Sequence, residues 1–273
     1  ELGRLCLQSY QMLIDFNKGV DFKLPAPFQL VKVFNTPERY VGEAATATEV
    51  PIAFVATQGD AIYVVFRGTV TITEWIDDAT FAQVPYHFVS KGGLTEEGFT
   101  SIYGTVHQGI LDTVVDLAKS GGFSTLYITG HSLGAALAVL AVPELAAKSG
   151  FTQPIMFNFA GPRVGNPAFS ETTYNALMIQ SVRVANTNDL VPKLPNPIVE
   201  VYQNGQFKTF FYDHVNEAHD ITFGNPISGP TDFKDIEANH IMCNYYNALC
   251  KMTSDEKTCM EMADGADGCN AST

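Results

Sequence analysis

Leu126-Tyr127-Ile128-Thr129-Gly130-His131-Ser132-Leu133-Gly134-Ala135-Ala136-Leu137 is the stretch on which the reading of this chain turns. It opens as a short run of strand formers, passes through Gly-His-Ser-Leu-Gly, and continues in small and apolar residues at helical spacing. Strand, sharp turn and helix in that order describe a nucleophile elbow. Such a turn brings strand and helix so close that the residues two before and two after the serine have no room for a side chain. Gly130 and Gly134 occupy those places. Ser132 then stands at the tip with its hydroxyl exposed, and the N-terminus of the following helix offers N–H groups and a partial positive charge to a forming oxyanion. A glycine turn that merely packs before a buried helix has the same letters. The strand before it, and Leu133, Ala136, Leu137, Leu140 and Ala141 after it, favour the nucleophile.

Outward from the elbow, strands and helices alternate. Leu2–Phe16 carries apolar residues near helical period and reads as a packing helix, broken by Pro25 and Pro27. Val50–Thr57 and Ala61–Gly68 read as a hairpin whose second strand, nearly all apolar, suits a position buried on both faces. That strand ends in Arg67-Gly68-Thr69, where a small hydroxyl residue could donate to a substrate oxygen or simply end a strand. In Thr71–Ala79, Ile72, Trp75, Ile76 and Ala79 fall on one face of a short amphipathic helix, with Glu74, Asp77 and Asp78 opposite. Two roles fit it equally, a helix docked permanently on the core or a lid over an apolar site. Ser90–Gly98 reads as loop and Phe99–Lys119 as a helix leading back to the elbow strand. Pro143 is expected to kink or end the helix after the elbow. Gln153–Ala160 and Ser181–Thr187 are further strands. This succession describes βαβ units, a sheet with parallel strands, and a single α/β domain over residues 1–273 with a cysteine-bearing tail from about 250.

A serine hydroxyl needs a general base, oriented in turn by a carboxylate. On this kind of sheet the partners follow the serine in the order acid, then histidine. His87 and His107 precede Ser132, and His131 sits within the elbow pointing elsewhere. Asp189 is the best acid, just past the Ser181–Thr187 strand and stiffened by Pro192 and Pro195, although in isolation it would serve as well for a turn aspartate. For the base, His240 stands where a loop enters a helical pattern of Ile241, Asn244, Tyr245, Ala248 and Leu249. His214 and His219 lie by a hairpin after Phe207–Tyr212. Order and position favour His240.

Composition narrows the class. The 273 residues are 46% hydrophobic and carry a formal charge of −13, so phosphate-rich nucleic acid and anionic bilayers are poor partners. No run of about 18 apolar residues offers a membrane span. The chain opens at Glu1 without a basic or apolar leader, as a mature or trimmed chain would. Five cysteines, Cys6, Cys243, Cys250, Cys259 and Cys269, suggest a stapled tail. Cys243 and Cys250 are about 10 Å apart along a helix axis and cannot pair with each other. Cys250–Cys259 is a plausible short loop. With the sequon at Asn270-Ala271-Ser272, this pattern points to a secreted protein.

With those residues in hand, the chain resembles the class 3, fungal-type lipases. The resemblance rests on Val65-Phe66-Arg67-Gly68-Thr69, Glu74-Trp75-Ile76, Gly98-Phe99, Gly130–Gly134, Ala160-Gly161-Pro162-Arg163-Val164-Gly165-Asn166, Asn188-Asp189-Leu190-Val191-Pro192-Lys193-Leu194-Pro195 and Asn239-His240, in the family's order. It implies the α/β-hydrolase fold and hydrolysis of carboxylic esters of lipids at an oil–water interface, with no metal or cofactor. It further implies Ser132 as nucleophile, Asp189 as orienting acid, His240 as base, Thr69 and Leu133 as oxyanion hole, and Ile72, Trp75 and Ile76 as lid. Ala135 stands where the family commonly has a second glycine, and Glu96 where it often has histidine. A feruloyl-type or other soluble carboxylesterase, or a phospholipase A1-like enzyme, would share these motifs.

Overall fold

The computed structural model describes residues 1–40, 48–69, 81–203, 205–227, 229, 232–263 and 269. The expected amphipathic segment, with Ile72, Trp75 and Ile76, lies outside the described residues. In chain order the elements are α1 (Leu2–Lys18), β1 (Gln29–Pro37), β2 (Glu49–Gln58), β3 (Ala61–Phe66), β4 (Gln83–Pro85), β5 (Leu94–Glu96), α2 (Glu97–Ser120), β6 (Thr125–His131), α3 (Leu133–Lys148), β7 (Ile155–Phe159), β8 (Ser181–Asn186), β9 (Ile198–Gln203), β10 (Gln206–Phe211), β11 (Ala218–Ile221), α4 (Phe233–His240), α5 (Met242–Cys250) and α6 (Glu256–Glu261).

The main sheet has the strand order β1-β2-β3-β6-β7-β8-β11. The β1–β2 and β2–β3 pairs are antiparallel, and every pair from β3 to β11 is parallel. This is the sheet with parallel strands expected from the alternation of strands and helices, and the mostly parallel α/β-hydrolase sheet that the family resemblance implies.

β3 shows why. Its side chains alternate with period two, and both faces are buried. Ile62, Val64 and Phe66 join Leu126, Ile128 and Met156 under α2 and α3. Ala61, Tyr63 and Val65 face the other way, toward Leu5 and Met12 of α1. Each such side chain, fully buried, stabilises the fold by about 2 kcal/mol.

The last layer is built by the tail. Cys6 and Leu7 of α1, Phe159, Val184, and Met242, Tyr245 and Cys250 of α5 form one buried cluster. Disulfides join Cys243 to Cys269 and Cys250 to Cys259, so both half-cystines of α5 pair outward. Cys6 remains a buried free thiol. None of the described helices is long and apolar enough to cross a membrane.

Three local expectations are corrected. α3 runs unbroken through Pro143. It is buried from Leu133 to Ala146, and the Tyr86 hydroxyl, which donates to Leu140 O at 2.6 Å, enters the helix in the turn before the proline. Within Ser90–Gly98, residues 94–96 pair with 83–85 as a small ribbon. Phe207–Tyr212 does not lead into a hairpin; residues 206–211 pair back onto 198–203. α4 and β11 are additional elements, too short for periodicity to announce.

Glu96 supplies a further check. It is the N-cap of α2, and its Oε2 accepts the Phe99 N–H at 2.7 Å. Burial pushes its carboxyl up from 4.5 to about 7, while hydrogen bonds from Phe99 and Gly98 pull it down. The native state therefore holds this proton in a range where the unfolded chain releases it. The stability so gained is complete below about 4.5 and is lost as pH rises through 7. Glu96→Gln keeps the acceptor without the charge. Its melting temperature relative to the parent should rise between pH 5 and pH 8, by an amount equivalent to on the order of 2 kcal/mol. A pH-independent difference would remove Glu96 as the cause.

Candidate active site

Ser132 lies between β6 and α3 at φ 59° and ψ −124°. That is backbone few residues with a side chain adopt. Its N–H donates to Phe159 O at 3.0 Å, and its carbonyl accepts from Ala135 N at 2.9 Å. The flanking glycines are needed for contact. A Cβ on Gly130 would overlap the Gly134 carbonyl, and one on Gly134 would overlap the Phe66 carbonyl at the end of β3. Every obstructing atom is backbone, so none can step aside.

Asp189 and His240 meet. His240 Nδ1 lies 2.9 Å from Asp189 Oδ2, and both residues are buried. The carboxylate also accepts from the Tyr245 hydroxyl, Oδ2 again, at 2.8 Å, and from Val191 N to Oδ1 at 3.0 Å. An ionised carboxylate only accepts, so Nδ1 carries the imidazole proton and Nε2 presents its lone pair. His240 Nε2 and Ser132 Oγ are both buried, and neither has a hydrogen-bond partner among the described residues. Two reactive atoms left unsatisfied in a buried site are what a substrate-binding centre requires and a packing cluster avoids.

The two halves of the site are joined through His131, the neighbour of Ser132. Its Nε2 lies 2.7 Å from His240 O, and the two imidazole centroids are 4.7 Å apart. Leu133 is the first residue of α3, so its N–H is one that the helix leaves without an internal acceptor. Thr69 is buried past the end of β3, and a Cβ on the preceding Gly68 would stand 3.2 Å from Ser132 Cβ. The chain just before Thr69 therefore passes close to the serine.

The remaining histidines lie outside this constellation. His214 Nε2 pairs with Pro192 O at 2.7 Å. Burial, reinforced by Arg183, lowers its pKa to about 3. His107 contacts Glu144 at 3.2 Å, His87 is exposed, and His219 is exposed on β11. His240 does not begin a helix, as its sequence context suggests. It ends α4, and Ile241, at φ −55° and ψ 130°, turns the chain into α5. Two residues outside the sequence reading take part in the geometry. Tyr245 appears in sequence only as an apolar position of a helix, and His131 only as a letter of the elbow.

Comparison with known proteins gives a consistent picture. The model of the family described as Lipase (class 3) matches residues 63–199. A lipase of Rhizomucor miehei is 33% identical over 191 residues, covering 68% of this chain and 49% of the relative. A secreted mono- and diacylglycerol lipase A of Penicillium cyclopium is 36% identical over 135 residues, covering 50% of this chain and 43% of the relative. The chain thus spans half or less of the length of these curated relatives. Among solved structures, a triacylglycerol lipase described as having a serine protease triad as its catalytic centre superposes with a TM-score of 0.59 at 30% identity, over 71% of this chain and 72% of that one.

The elbow contacts make a prediction independent of any activity. Gly134→Ala should cost more than about 3 kcal/mol, because its Cβ has only backbone to displace. An unchanged midpoint of urea unfolding would contradict this packing.

Proposed function

The chain belongs to the class 3 lipase family, and from that membership we propose that it hydrolyses carboxylic esters of lipids through an acyl-enzyme on Ser132. One observation carries the reading. The Asp189–His240 pair is fixed by buried hydrogen bonds, and the free His240 nitrogen and the Ser132 hydroxyl are each buried without a partner among the described residues.

In the proposed mechanism His240 Nε2 takes the Ser132 proton as Oγ attacks the ester carbonyl. Asp189 holds the tautomer and steadies the imidazolium. The oxyanion is received by the Leu133 N–H and Thr69, each donor contributing about 3 kcal/mol in a dry site. The alcohol leaves with the proton from His240. Water, activated by the same nitrogen, then attacks the acyl-enzyme and releases the acid. A buried carboxylate held by three donors, as Asp189 is by His240, Tyr245 and Val191, keeps the imidazole in place through both steps.

The substrate class is inferred from family membership together with the names of the relatives. The charge of −13 favours neutral or zwitterionic lipid over anionic surfaces. The apolar spacing of Ile72, Trp75 and Ile76 supports a lid role at an oil–water interface, and Trp75, the only tryptophan in the chain, reports on it. Two disulfides support an extracellular setting.

Ser132→Ala should fold with an unchanged melting curve and lose at least 1,000-fold in ester hydrolysis, on the order expected for removing a triad nucleophile. Retention of more than a few per cent would mean another nucleophile. A graded series of p-nitrophenyl esters, each with and without emulsion, should show higher rates on long chains and a rise at the interface, with a shift in Trp75 emission on adding micelles. Preference for short soluble esters with no interfacial rise would favour the soluble carboxylesterase reading. Release of only the sn-1 fatty acid of phosphatidylcholine would favour the phospholipase A1 reading.

A further inference from the structure

Tyr10, on α1, approaches the site from the opposite side of the sheet's edge. Its hydroxyl lies 2.7 Å from His131 Nδ1, and the two rings meet edge-on with centroids 5.8 Å apart. The protonation pattern follows from the partners. His240 O can only accept, so His131 Nε2 carries the proton. His131 Nδ1 is then the lone pair, and the Tyr10 hydroxyl donates to it. Burial, and then the neighbouring His240, hold His131 well below the ordinary histidine value, so this single neutral tautomer persists.

What the relay grips is a helix end. The last carbonyls of α4 have no partners within the helix. Asn244 Nδ2 donates to Ala238 O at 2.7 Å, Asn186 Nδ2 to Asn239 O at 3.0 Å, and His131 Nε2 to His240 O at 2.7 Å. Only the last of these donors is adjacent in the chain to Ser132. The bond between His131 and His240 O therefore ties the main chain of the proposed base to the elbow that carries the proposed nucleophile. Asp189 fixes the ring of His240, and His131 fixes its backbone.

We propose that Tyr10 is a positioning residue of the reaction, holding His240 in register with Ser132 by orienting His131. This rests on the catalytic reading of Ser132, Asp189 and His240 given above. A second route for Tyr10 must be separated from it. The Tyr10 hydroxyl also packs against Gly68, where a Cβ would overlap it, and Gly68 precedes Thr69.

The test is a double-mutant cycle on a soluble p-nitrophenyl ester. Tyr10→Phe keeps the ring and removes only the donor. Its kcat should fall about tenfold with KM within about twofold of the parent and an unchanged melting temperature. His131→Leu should fall further, and His131→Gln, whose amide nitrogen can take the place of Nε2, should recover much of that loss. In the His131→Leu background Tyr10→Phe should change kcat by less than about twofold. A repeated tenfold loss in that background would assign Tyr10 to the Gly68 route and overturn the proposal, as would a parental kcat or a raised KM in Tyr10→Phe. If His131→Leu does not fold, the kcat and KM split of Tyr10→Phe decides alone. A parent protein that neither hydrolyses the ester nor is labelled at Ser132 by a phosphonate would refute the catalytic reading and the proposal with it. A labelled, active parent with a fully active Tyr10→Phe would refute the proposal only.

Discussion

The backbone at Ser132 sits in a strained region that costs on the order of 1–3 kcal/mol, and the packing around it leaves no alternative. β6 is hydrogen-bonded between β3 and β7, and α3 is buried almost along its whole length. The two can be joined by so short a turn only if Gly130 and Gly134 lie against each other's backbone and against β3. The strain is therefore sustained by a large buried area rather than by any local interaction. Its consequence is that a serine hydroxyl is held at a fixed height above the sheet, next to the first N–H groups of a helix.

A buried carboxylate is the second demand on the fold. Taking Asp189 out of water is costly unless its oxygens are satisfied. The donors come from three places: the Val191 backbone just after it, Tyr245 on α5, and His240 at the end of α4. Tyr245 itself accepts from Asn186 N at 2.8 Å, which returns the network to β8. The geometry of the site is thus tied to the sheet edge and to the C-terminal helices together.

That coupling gives the tail a role. Cys243 and Cys250 bracket Tyr245 on α5, and each is cross-linked outward, to Cys269 and Cys259. The disulfides restrain the helix that carries the hydroxyl against Asp189 and that begins directly after His240. The segment that reads in sequence as an appended, stapled tail is, in three dimensions, cross-linked to the helix whose Tyr245 holds the acid.

Local periodicity and steric need determined much of this protein in advance. The strand–turn–helix around Ser132, the doubly buried β3 and the helices before and after β6 follow from side-chain alternation and from glycines where two backbones touch, and both are properties of neighbouring residues. The order of Ser132, Asp189 and His240 along the chain is equally a sequence property. Tertiary structure alone decided which histidine meets which carboxylate, since Asp189 and His240 are 51 residues apart and their bond depends on α4, an element too short to be read. It decided that α3 continues through Pro143, where the helix is buried on every side. It also turned Tyr10, His131 and Tyr245, legible in sequence only as helix positions and a letter of the elbow, into hydrogen-bond donors around His240 and Asp189. The reason is physical: hydrogen bonds between distant segments depend on where the folded core places them, and no local pattern encodes that distance.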